Sequence, residues 1–170
     1  MRAPWLAALV VAGLSSPAFA AEPTGDWMVA DKVAVVRVAP CAPEAPALCG
    51  NIVWTKGPPR TDRNNPDPAK RSRSTLGMEI LLGMKPTEAN RWEGEIYNAE
   101  DGKNYSGRIS LVSENVLRIE GCVLGILCGG QNWSRVKCED PPPAPPGRRA
   151  ATASPPPPPP FPTSCREVAP

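Results

Sequence analysis

The chain has 170 residues, with 24 prolines, six cysteines and no histidine. Its 19 basic and 17 acidic residues leave a net charge of +2, so the chain lacks the basic excess of nucleic-acid-binding domains and we expect no nucleic-acid partner. Because the chain has no histidine, a serine or cysteine nucleophile would lack its usual general base. The chain also lacks a CxxC pair for a zinc site, so we predict no bound metal and no cofactor.

The first twenty residues have the pattern of an export signal. Arg2 gives a positive start, residues 4–14 are almost wholly apolar, and residues 18–20 form a small-x-small cleavage site. The apolar run is shorter than the roughly 20 residues needed to span a bilayer. Ala21 offers no thiol for a lipid anchor. We therefore predict a signal peptide over residues 1–20 and a periplasmic or secreted protein that is neither membrane-spanning nor lipid-anchored.

Composition divides the rest of the chain into two parts. Residues 21–138 have a globular mix, whereas 13 of the 32 residues in 139–170 are proline. The first part is long enough for one hydrophobic core. The second has almost nothing to bury, so we predict a disordered tail that acts as a spacer, with a recognised proline ligand as the alternative.

Within residues 21–138 the apolar residues alternate with polar ones, and Gly, Pro, Asn and Asp fill the intervals. This period of two predicts an all-β domain. Asp101-Gly102 is a strong hairpin signal, because such residues tolerate the positive φ of tight turns. The candidate strands are 26–28, 32–38, 48–54, 76–82, 91–98, 103–112, 116–120 and 131–137.

About eight short strands joined by hairpins favour a small antiparallel meander β-barrel, because closure removes exposed sheet edges. A two-sheet sandwich is the alternative. The large inward side chains would fill a small barrel or line a narrow pocket, in which Trp54, Trp92 and Tyr105 are candidate ligand contacts. The inward set from alternation is Leu48, Ile52, Trp54, Leu76, Met78, Ile80, Leu82, Trp92, Ile96, Tyr105, Ile109, Leu111, Leu117 and Ile119.

The six cysteines favour a disulfide framework in an exported protein. Cys41 and Cys49 bracket one short loop, and Cys122 and Cys128 bracket another, so each pair can meet across a turn. Cys138 and Cys165 remain. We predict that they also pair, although the loop between them is stiff with prolines and free thiols are the alternative.

A basic run with Arg71 and Arg73 precedes the predicted strand 76–82. Counting back along that strand places both arginines side by side on the outer face, at the strand mouth. Pro66 and Pro68 should keep the preceding loop extended. The arginines could bind a carboxylate or phosphate of a ligand or wall polymer. The alternative is a solvated rim with Asp62 or Asp67 as nearby counter-charges.

Several motifs together resemble a known family. Gly25-Asp26-Trp27 and the late Arg135 are similar to the Gly-x-Trp start and arginine of lipocalin-type barrels, in which the arginine lies over the tryptophan and closes one end. A run of longer segments resembles the exported bacterial family catalogued as domain of unknown function 2147. That resemblance implies a small lipocalin- or calycin-like barrel with no established activity. The segments are CAPEAPALCGNIVW, NNPDPAKRSRSTLGMEIL, WEGEIYNAEDGKNYSG and LRIEGCVLGILCGGQNWSRV.

Two functions of different classes fit these observations. The first is a non-enzymatic binding barrel for a small, partly apolar or anionic ligand in the cell envelope. The second is a packed-core module that contacts cell-wall polymer or a protein partner. A carboxylate-dependent hydrolase using Glu93 and Glu95 is a weaker third, because their strand face alternates with the inward one and reads as solvated. The sequence does not indicate an oligomeric state.

Overall fold

Eight antiparallel strands follow one another around a barrel in the computed structural model, which describes residues 22–123, 126–138, 161 and 165–169. A short 3-10 helix, Pro68–Lys70, lies between the third and fourth strands. A ninth strand extends the sheet from the C-terminal segment. The strands are β1 Gly25–Met28, β2 Ala34–Pro40, β3 Leu48–Thr55, β4 Glu79–Glu88, β5 Arg91–Asn98, β6 Lys103–Ser113, β7 Val116–Val123, β8 Leu127–Cys138 and β9 Cys165–Glu167.

The sheet closes because β8 returns to β1. Each strand from β1 to β8 pairs with the next, and the antiparallel register Trp27↔Arg135 joins the last to the first. The predicted eight-stranded meander barrel is therefore confirmed, and the sandwich alternative is not. Closure leaves few exposed sheet edges, which suits a small all-β domain.

The barrel has two distinct ends. The proximal end carries residues 22–24 and the β2–β3, β4–β5 and β6–β7 connections. The distal end carries the β1–β2, β3–β4, β5–β6 and β7–β8 connections, because successive antiparallel strands turn at alternate ends. The β3–β4 connection, residues 56–78, is much longer than the other connections between strands β1 to β8 and contains the 3-10 helix.

A single apolar core fills the middle of the barrel. Two inward positions are glycine because another side chain occupies the space: a Cβ at Gly50 would lie 2.7 Å from Leu81, and one at Gly107 would lie 2.4 Å from Ile96. The core members are Trp27, Val29, Val36, Val38, Leu48, Leu81, Met84, Ile109, Leu111, Leu117, Ile119 and Trp133.

Bulges reverse the predicted phase in β3 and β4. The β2–β3 register slips between Val35 and Val36, so Ile52 packs on the core while Trp54 packs outside the barrel. An extra residue in one strand moves the next side chains to the opposite face. The predicted inward position of Trp54 is therefore wrong.

The fourth strand also starts later than predicted. It begins at Glu79, and its fully buried residues are Leu81 and Met84 rather than the predicted Ile80 and Leu82. Register shifts within the strand explain the mixed phase. Leu76, which was expected inside, is 38% exposed.

A second apolar cluster lies on the outer face of the barrel and is covered by the C-terminal segment. Met28, Val35 and Val136 are buried there, and Trp54 and Phe161 pack against them. The rings of Trp54 and Phe161 meet edge to face, with centroids 5.0 Å apart. The predicted tail thus returns to the barrel at its end, where β9 pairs with β8. Residues 139–160, 162–164 and 170 lie outside the described residues.

All three predicted disulfides are present: Cys41–Cys49, Cys122–Cys128 and Cys138–Cys165. The first closes the β2–β3 connection and the second closes the β7–β8 hairpin. The third joins β8 to β9 and therefore fixes the C-terminal segment on the barrel. Within the described ranges, no helix is long and apolar enough to cross a membrane.

Candidate functional site

Four glycines form a continuous row across the inner face of the barrel wall. Gly94 pairs with Gly107, Gly107 with Gly121, and Gly121 with Gly129, so the row crosses β5, β6, β7 and β8. All four share the inward phase of the buried Ile109 and Ile119. Because glycine has no side chain, this part of the wall presents bare backbone to the interior.

Two rows of larger residues flank the glycine row on the same inner face. We call the space between them the trough. Its walls combine aliphatic and aromatic side chains, with Gln131 as the polar member of the proximal row. The proximal row is Trp92, Ile109, Ile119 and Gln131, and the distal row is Ile96, Tyr105, Val123 and Leu127.

The trough is filled by side chains over β6 and is open over β8. The Ile96 side chain covers Gly107, and Tyr105 Cβ lies 3.7 Å from the position of a Cβ at Gly121. A Cβ at Gly129 would meet nothing within 4 Å. The solvent exposure of these glycines increases along the row, from buried Gly107 through Gly121 to exposed Gly129. The trough therefore opens to solvent beside β8.

The opening has a cause in the sheet register. The first strand pairs with β8 only from Ser134 to Val136, so in the described part of the chain the preceding stretch of β8 has β7 alone as a strand neighbour. The β7–β8 hairpin therefore projects beyond the closed part of the wall. Val123 and Leu127 near its tip are 47% and 69% exposed.

Trp133 carries a buried polar atom without a partner. It is the next inward residue of β8 after Gln131 and is only 3% exposed. Its indole Nε1 has no hydrogen-bond acceptor among the described residues. Leaving a buried donor unpaired costs about 1–3 kcal/mol, so this N–H fits an acceptor that enters the barrel. The other core tryptophan, Trp27, donates its Nε1–H to Pro23 O at 2.8 Å.

The proximal end is shut by Arg135 and Trp27. The guanidinium carbon lies 4.2 Å from the centroid of the Trp27 ring, which is the arrangement that the sequence predicted. The guanidinium also donates to the backbone carbonyls of Glu22, Thr24 and Glu114 at 2.6, 2.8 and 2.6 Å. Burial lowers the pKa of Arg135, but these carbonyls solvate its charge.

The structure separates the five predicted ligand contacts. Trp92 and Tyr105 lie in the two rows that flank the trough. The Tyr105 hydroxyl donates to the carboxylate of Asp101, a hydrogen bond that raises the Tyr105 pKa. Trp54 lies in the outer cluster instead. Arg71 and Arg73 lie in the long β3–β4 connection, outside the strands that carry the trough rows.

The predicted strand-mouth geometry of the two arginines is wrong. Pro68 begins a 3-10 helix capped by the Asp67 side chain, because proline is well tolerated at a first helical position. Arg71 Nε donates to Asn65 O at 2.8 Å, and Arg73 Nε donates to Asp62 Oδ2 at 2.8 Å. Both side chains therefore tie their own loop together.

Asp62 is the centre of a buried network, whereas the sequence indicated it only as a counter-charge on a solvated rim. This residue is fully buried and accepts hydrogen bonds from the Tyr97 hydroxyl at 2.6 Å and from Asn65 Nδ2 at 2.8 Å, besides the one from Arg73. Burial alone would raise the pKa of Asp62, but these three donors outweigh it and lower the pKa. Burial, with the hydrogen bond to Asp62, raises the pKa of Tyr97. The network holds the β3–β4 connection against β5.

A groove of about 560 Å³ lies on the outer face of β4 to β7. Glu93 and Glu95 line it and are both exposed, as the alternation of their strand predicted. Arg108 on the same face is bound to Glu120 at 2.7 Å. The groove is wide and carries charges of both signs.

Sequence reasoning missed the glycine row and Trp133. The start of the row could have been predicted from the sequence, because the Asp101-Gly102 turn fixes the β5–β6 register and so places Gly94 opposite Gly107. The unpaired indole of Trp133 had no sequence signal, since pairing depends on the packed surroundings. In the described part of the chain, no group of three potential ligand side chains could hold a metal ion.

Comparison with known proteins agrees with the barrel fold. A solved structure described as protein HP1028 from the human pathogen Helicobacter pylori, belonging to the lipocalin family, superposes with a TM-score of 0.60 at 20% sequence identity. The match covers 67% of this chain and 82% of that one, and it establishes the likeness of fold. No curated protein matches the sequence. The family described as an uncharacterized protein conserved in bacteria, DUF2147, matches residues 25–135, and the chain belongs to that family.

Proposed function

We propose that this barrel binds a small, partly apolar molecule in the trough, and that the Trp133 indole N–H donates to an acceptor on that molecule. The buried, unpartnered Nε1 of Trp133 is the observation that carries the proposal. The lipocalin-like fold supports it, because barrels of eight strands sit at the size where the interior holds side chains or one small ligand.

The walls of the trough favour a particular shape of ligand. Backbone at Gly121 and Gly129 allows a flat or extended group to approach closely, and aliphatic side chains lie on both sides. Gln131 adds an amide that can donate or accept. We therefore expect a molecule with an apolar body and at least one carbonyl, carboxylate or hydroxyl oxygen.

We also propose that the protein works outside the cytoplasm. Three disulfides are typical of proteins from oxidising compartments. Residues 1–20 carry the pattern of a cleaved signal, and they lie outside the described part of the chain. The ligand would then be a molecule of the cell envelope or its surroundings.

The test uses a variant that fills the trough. Gly129→Leu should fold normally, because its Cβ meets nothing and its φ is not in the left-handed region. Native mass spectrometry of protein from its own host should show a retained small molecule in the wild type and none in the variant. Titration with 1-anilinonaphthalene-8-sulfonate should show at least about tenfold weaker binding, since the leucine occupies the site.

Asn132→Leu is the matched control, because Asn132 is the exposed, outward-facing neighbour of Gln131 on the same strand. This variant adds the same side chain outside the barrel and should bind as the wild type does. Equal binding by Gly129→Leu and the wild type would remove the trough as the site.

The packed-core module is the second candidate. The occupied positions over Gly50 and Gly107 favour it, because Leu81 and Ile96 fill the middle of the barrel. A wild-type protein that retains no molecule and binds no probe would support this alternative. Its contacts with wall polymer or protein would then lie on the outer surface.

A further inference from the structure

We propose that the distal end of the barrel docks on an anionic lipid bilayer, with basic side chains of the β3–β4 connection on the headgroups and the tip of the β7–β8 hairpin among the acyl chains. Two independent features of the same end point to this partner. One is a set of exposed cations without carboxylate partners, and the other is a set of exposed aliphatic side chains.

The β3–β4 connection carries a net positive charge. Residues 56–78 contain six basic side chains and two acidic ones. Both acids are already engaged, Asp62 with Arg73 at 2.8 Å and Asp67 with Lys70 at 3.7 Å. The remaining cations are exposed, and none has an ion pair in the described structure: Lys56, Arg60, Arg63 and Arg71. Such a surplus attracts an anionic surface.

The β7–β8 hairpin carries the two most exposed large aliphatic side chains of the described residues, Ile126 and Leu127, with exposed Val123 beside them. Ile126 is 79% exposed, Leu127 is 69% exposed and Val123 is 47% exposed. The Cys122–Cys128 disulfide closes the hairpin directly beneath them. Exposed aliphatic side chains on a disulfide-closed hairpin cost free energy in water, so the arrangement fits burial against an apolar partner.

The register places both features at one level. Ser106 pairs with Cys122, so the Asp101–Gly102 turn and the tip of the next hairpin project from the same rim. The long connection packs on that turn, because Asn64 Nδ2 donates to Glu100 O at 2.5 Å and a Cβ at Gly102 would overlap Asn64 O. The acidic Glu100 and Asp101 interrupt the basic surface without balancing it.

A bilayer is the partner that uses both features. A soluble polyanion would bind the cations but would leave Ile126 and Leu127 in water. A neutral apolar surface would bury the hairpin tip but would not engage the cations. An interface of anionic headgroups above acyl chains satisfies both, as for other peripheral membrane proteins.

The experiment is co-sedimentation of the full mature chain with vesicles. Phosphatidylcholine vesicles with about 30 per cent phosphatidylglycerol should bind the protein, and pure phosphatidylcholine should bind it weakly. Binding should fall as salt rises from about 0.05 to about 0.5 M, because exposed charges are screened. The triple variant Lys56→Gln, Arg60→Gln and Arg63→Gln should partition about a hundredfold more weakly, since each charge near an anionic surface contributes roughly fivefold.

A matched triple variant removes the same charge from elsewhere on the barrel. Lys85→Gln, Arg91→Gln and Lys137→Gln lie on β4, β5 and β8. This triple should keep most of the wild-type binding, and an equal loss in both triples would show only a general charge effect and overturn the proposal. Circular dichroism and thermal unfolding establish that every variant is folded.

A second pair tests the hairpin. Ile126→Ser with Leu127→Ser should weaken vesicle binding at least about tenfold at unchanged charge, because two aliphatic side chains no longer enter the bilayer. Val112→Ser removes a 61% exposed aliphatic from β6 and should have no effect. If the hairpin variant binds vesicles like the wild type, and long-chain polyphosphate competes fully, the partner is a soluble polyanion and the lipid proposal fails. Vesicle binding needs no ligand in the trough, and Ile126→Ser alone separates the two sites, because Leu127 also belongs to the distal row.

Discussion

Arg135 lies across Trp27 at the proximal end of the barrel, 4.2 Å from the ring centroid, and its three donor nitrogens are all bound to backbone carbonyls. These carbonyls belong to the N-terminal segment and to the β6–β7 turn. One side chain therefore links the start of the chain to the last strand of the barrel. Gly25 allows the approach, because it has a φ of 121° and a Cβ there would lie 2.9 Å from Arg135 Nη1.

Trp27→Ala should lower the free energy of unfolding by about 3 to 5 kcal/mol, the range for a large buried aromatic side chain. Trp27 is fully buried and fills the proximal end beneath Arg135. Chemical denaturation checks the value. A midpoint equal to that of the wild type would remove Trp27 from the core.

Arg135→Lys tests the guanidinium itself. Lysine keeps the charge but cannot reach three carbonyls in a planar fork, so we expect a loss of about 1 to 3 kcal/mol. The loss should resist salt, because the partners are carbonyls and an aromatic ring. A strong salt dependence would contradict this account and indicate an ion pair.

The proximal end shows why some of the structure was predictable. Alternation identified the strands, short spacing identified two disulfides, and the Gly25-Asp26-Trp27 start with the late Arg135 identified the closure. All of these depend on local pattern or on residues brought together by simple meander topology. Trp54 was misplaced because a single bulge in β3 reverses the face, and alternation carries no marker of a bulge.

The long β3–β4 connection was the least predictable part. The alternation of the next strand extends back through its basic run, yet Arg73 turns back to the buried Asp62. That contact depends on where the loop folds against Tyr97, which is 35 residues away in sequence. A single buried carboxylate within a proline-rich loop looks like any solvated aspartate until its partners are placed.

Asp62→Asn should destabilise the protein by about 2 to 4 kcal/mol at neutral pH, because charged hydrogen bonds to a buried group are lost. The pKa of Asp62 is lowered in the folded state, so the ionised form stabilises the fold fully above its ordinary pKa of 3.8. That contribution is lost as the pH falls below this value and Asp62 takes up a proton. Unfolding measured between neutral pH and about pH 3 should show a smaller acid dependence in the variant. Parallel pH profiles for the two proteins would contradict the assignment.

Arg73→Gln and Arg71→Gln should differ in effect. Arg73 bonds the buried carboxylate and lies 5.4 Å from the Tyr97 ring centroid, whereas Arg71 donates to one backbone carbonyl. We expect about 1 to 3 kcal/mol for Arg73 and less than about 1 kcal/mol for Arg71, since only Arg73 leaves a buried charge short of a partner. Thermal unfolding of the two single variants ranks their stabilities. Equal losses would show that the Arg73–Asp62 contact does not stabilise the loop more than the Arg71 contact does.

Removing the third disulfide should uncover the outer cluster. Cys138→Ser with Cys165→Ser opens a loop of 27 residues, and chain entropy predicts a loss of roughly 3 to 4 kcal/mol for the closed C-terminal segment. Phe161 should then leave Trp54, so acrylamide should quench tryptophan fluorescence more strongly than in the wild type. Unchanged quenching would mean that the β8–β9 pairing and contacts such as the Lys32–Glu167 ion pair hold the segment without the disulfide.

The packing over the glycine row predicts a coupled pair. A Cβ at Gly107 would lie 2.4 and 2.5 Å from the Ile96 side chain, so Gly107→Ala should cost about 1 to 3 kcal/mol through overpacking. Gly121→Ala is the matched control, because its Cβ would meet Tyr105 at an ordinary 3.7 Å. Combining Gly107→Ala with Ile96→Ala should recover part of the loss, since the smaller side chain makes room for the new methyl group. A double-mutant cycle by urea denaturation measures the coupling, and strictly additive effects would show that Ile96 does not occupy the space above Gly107.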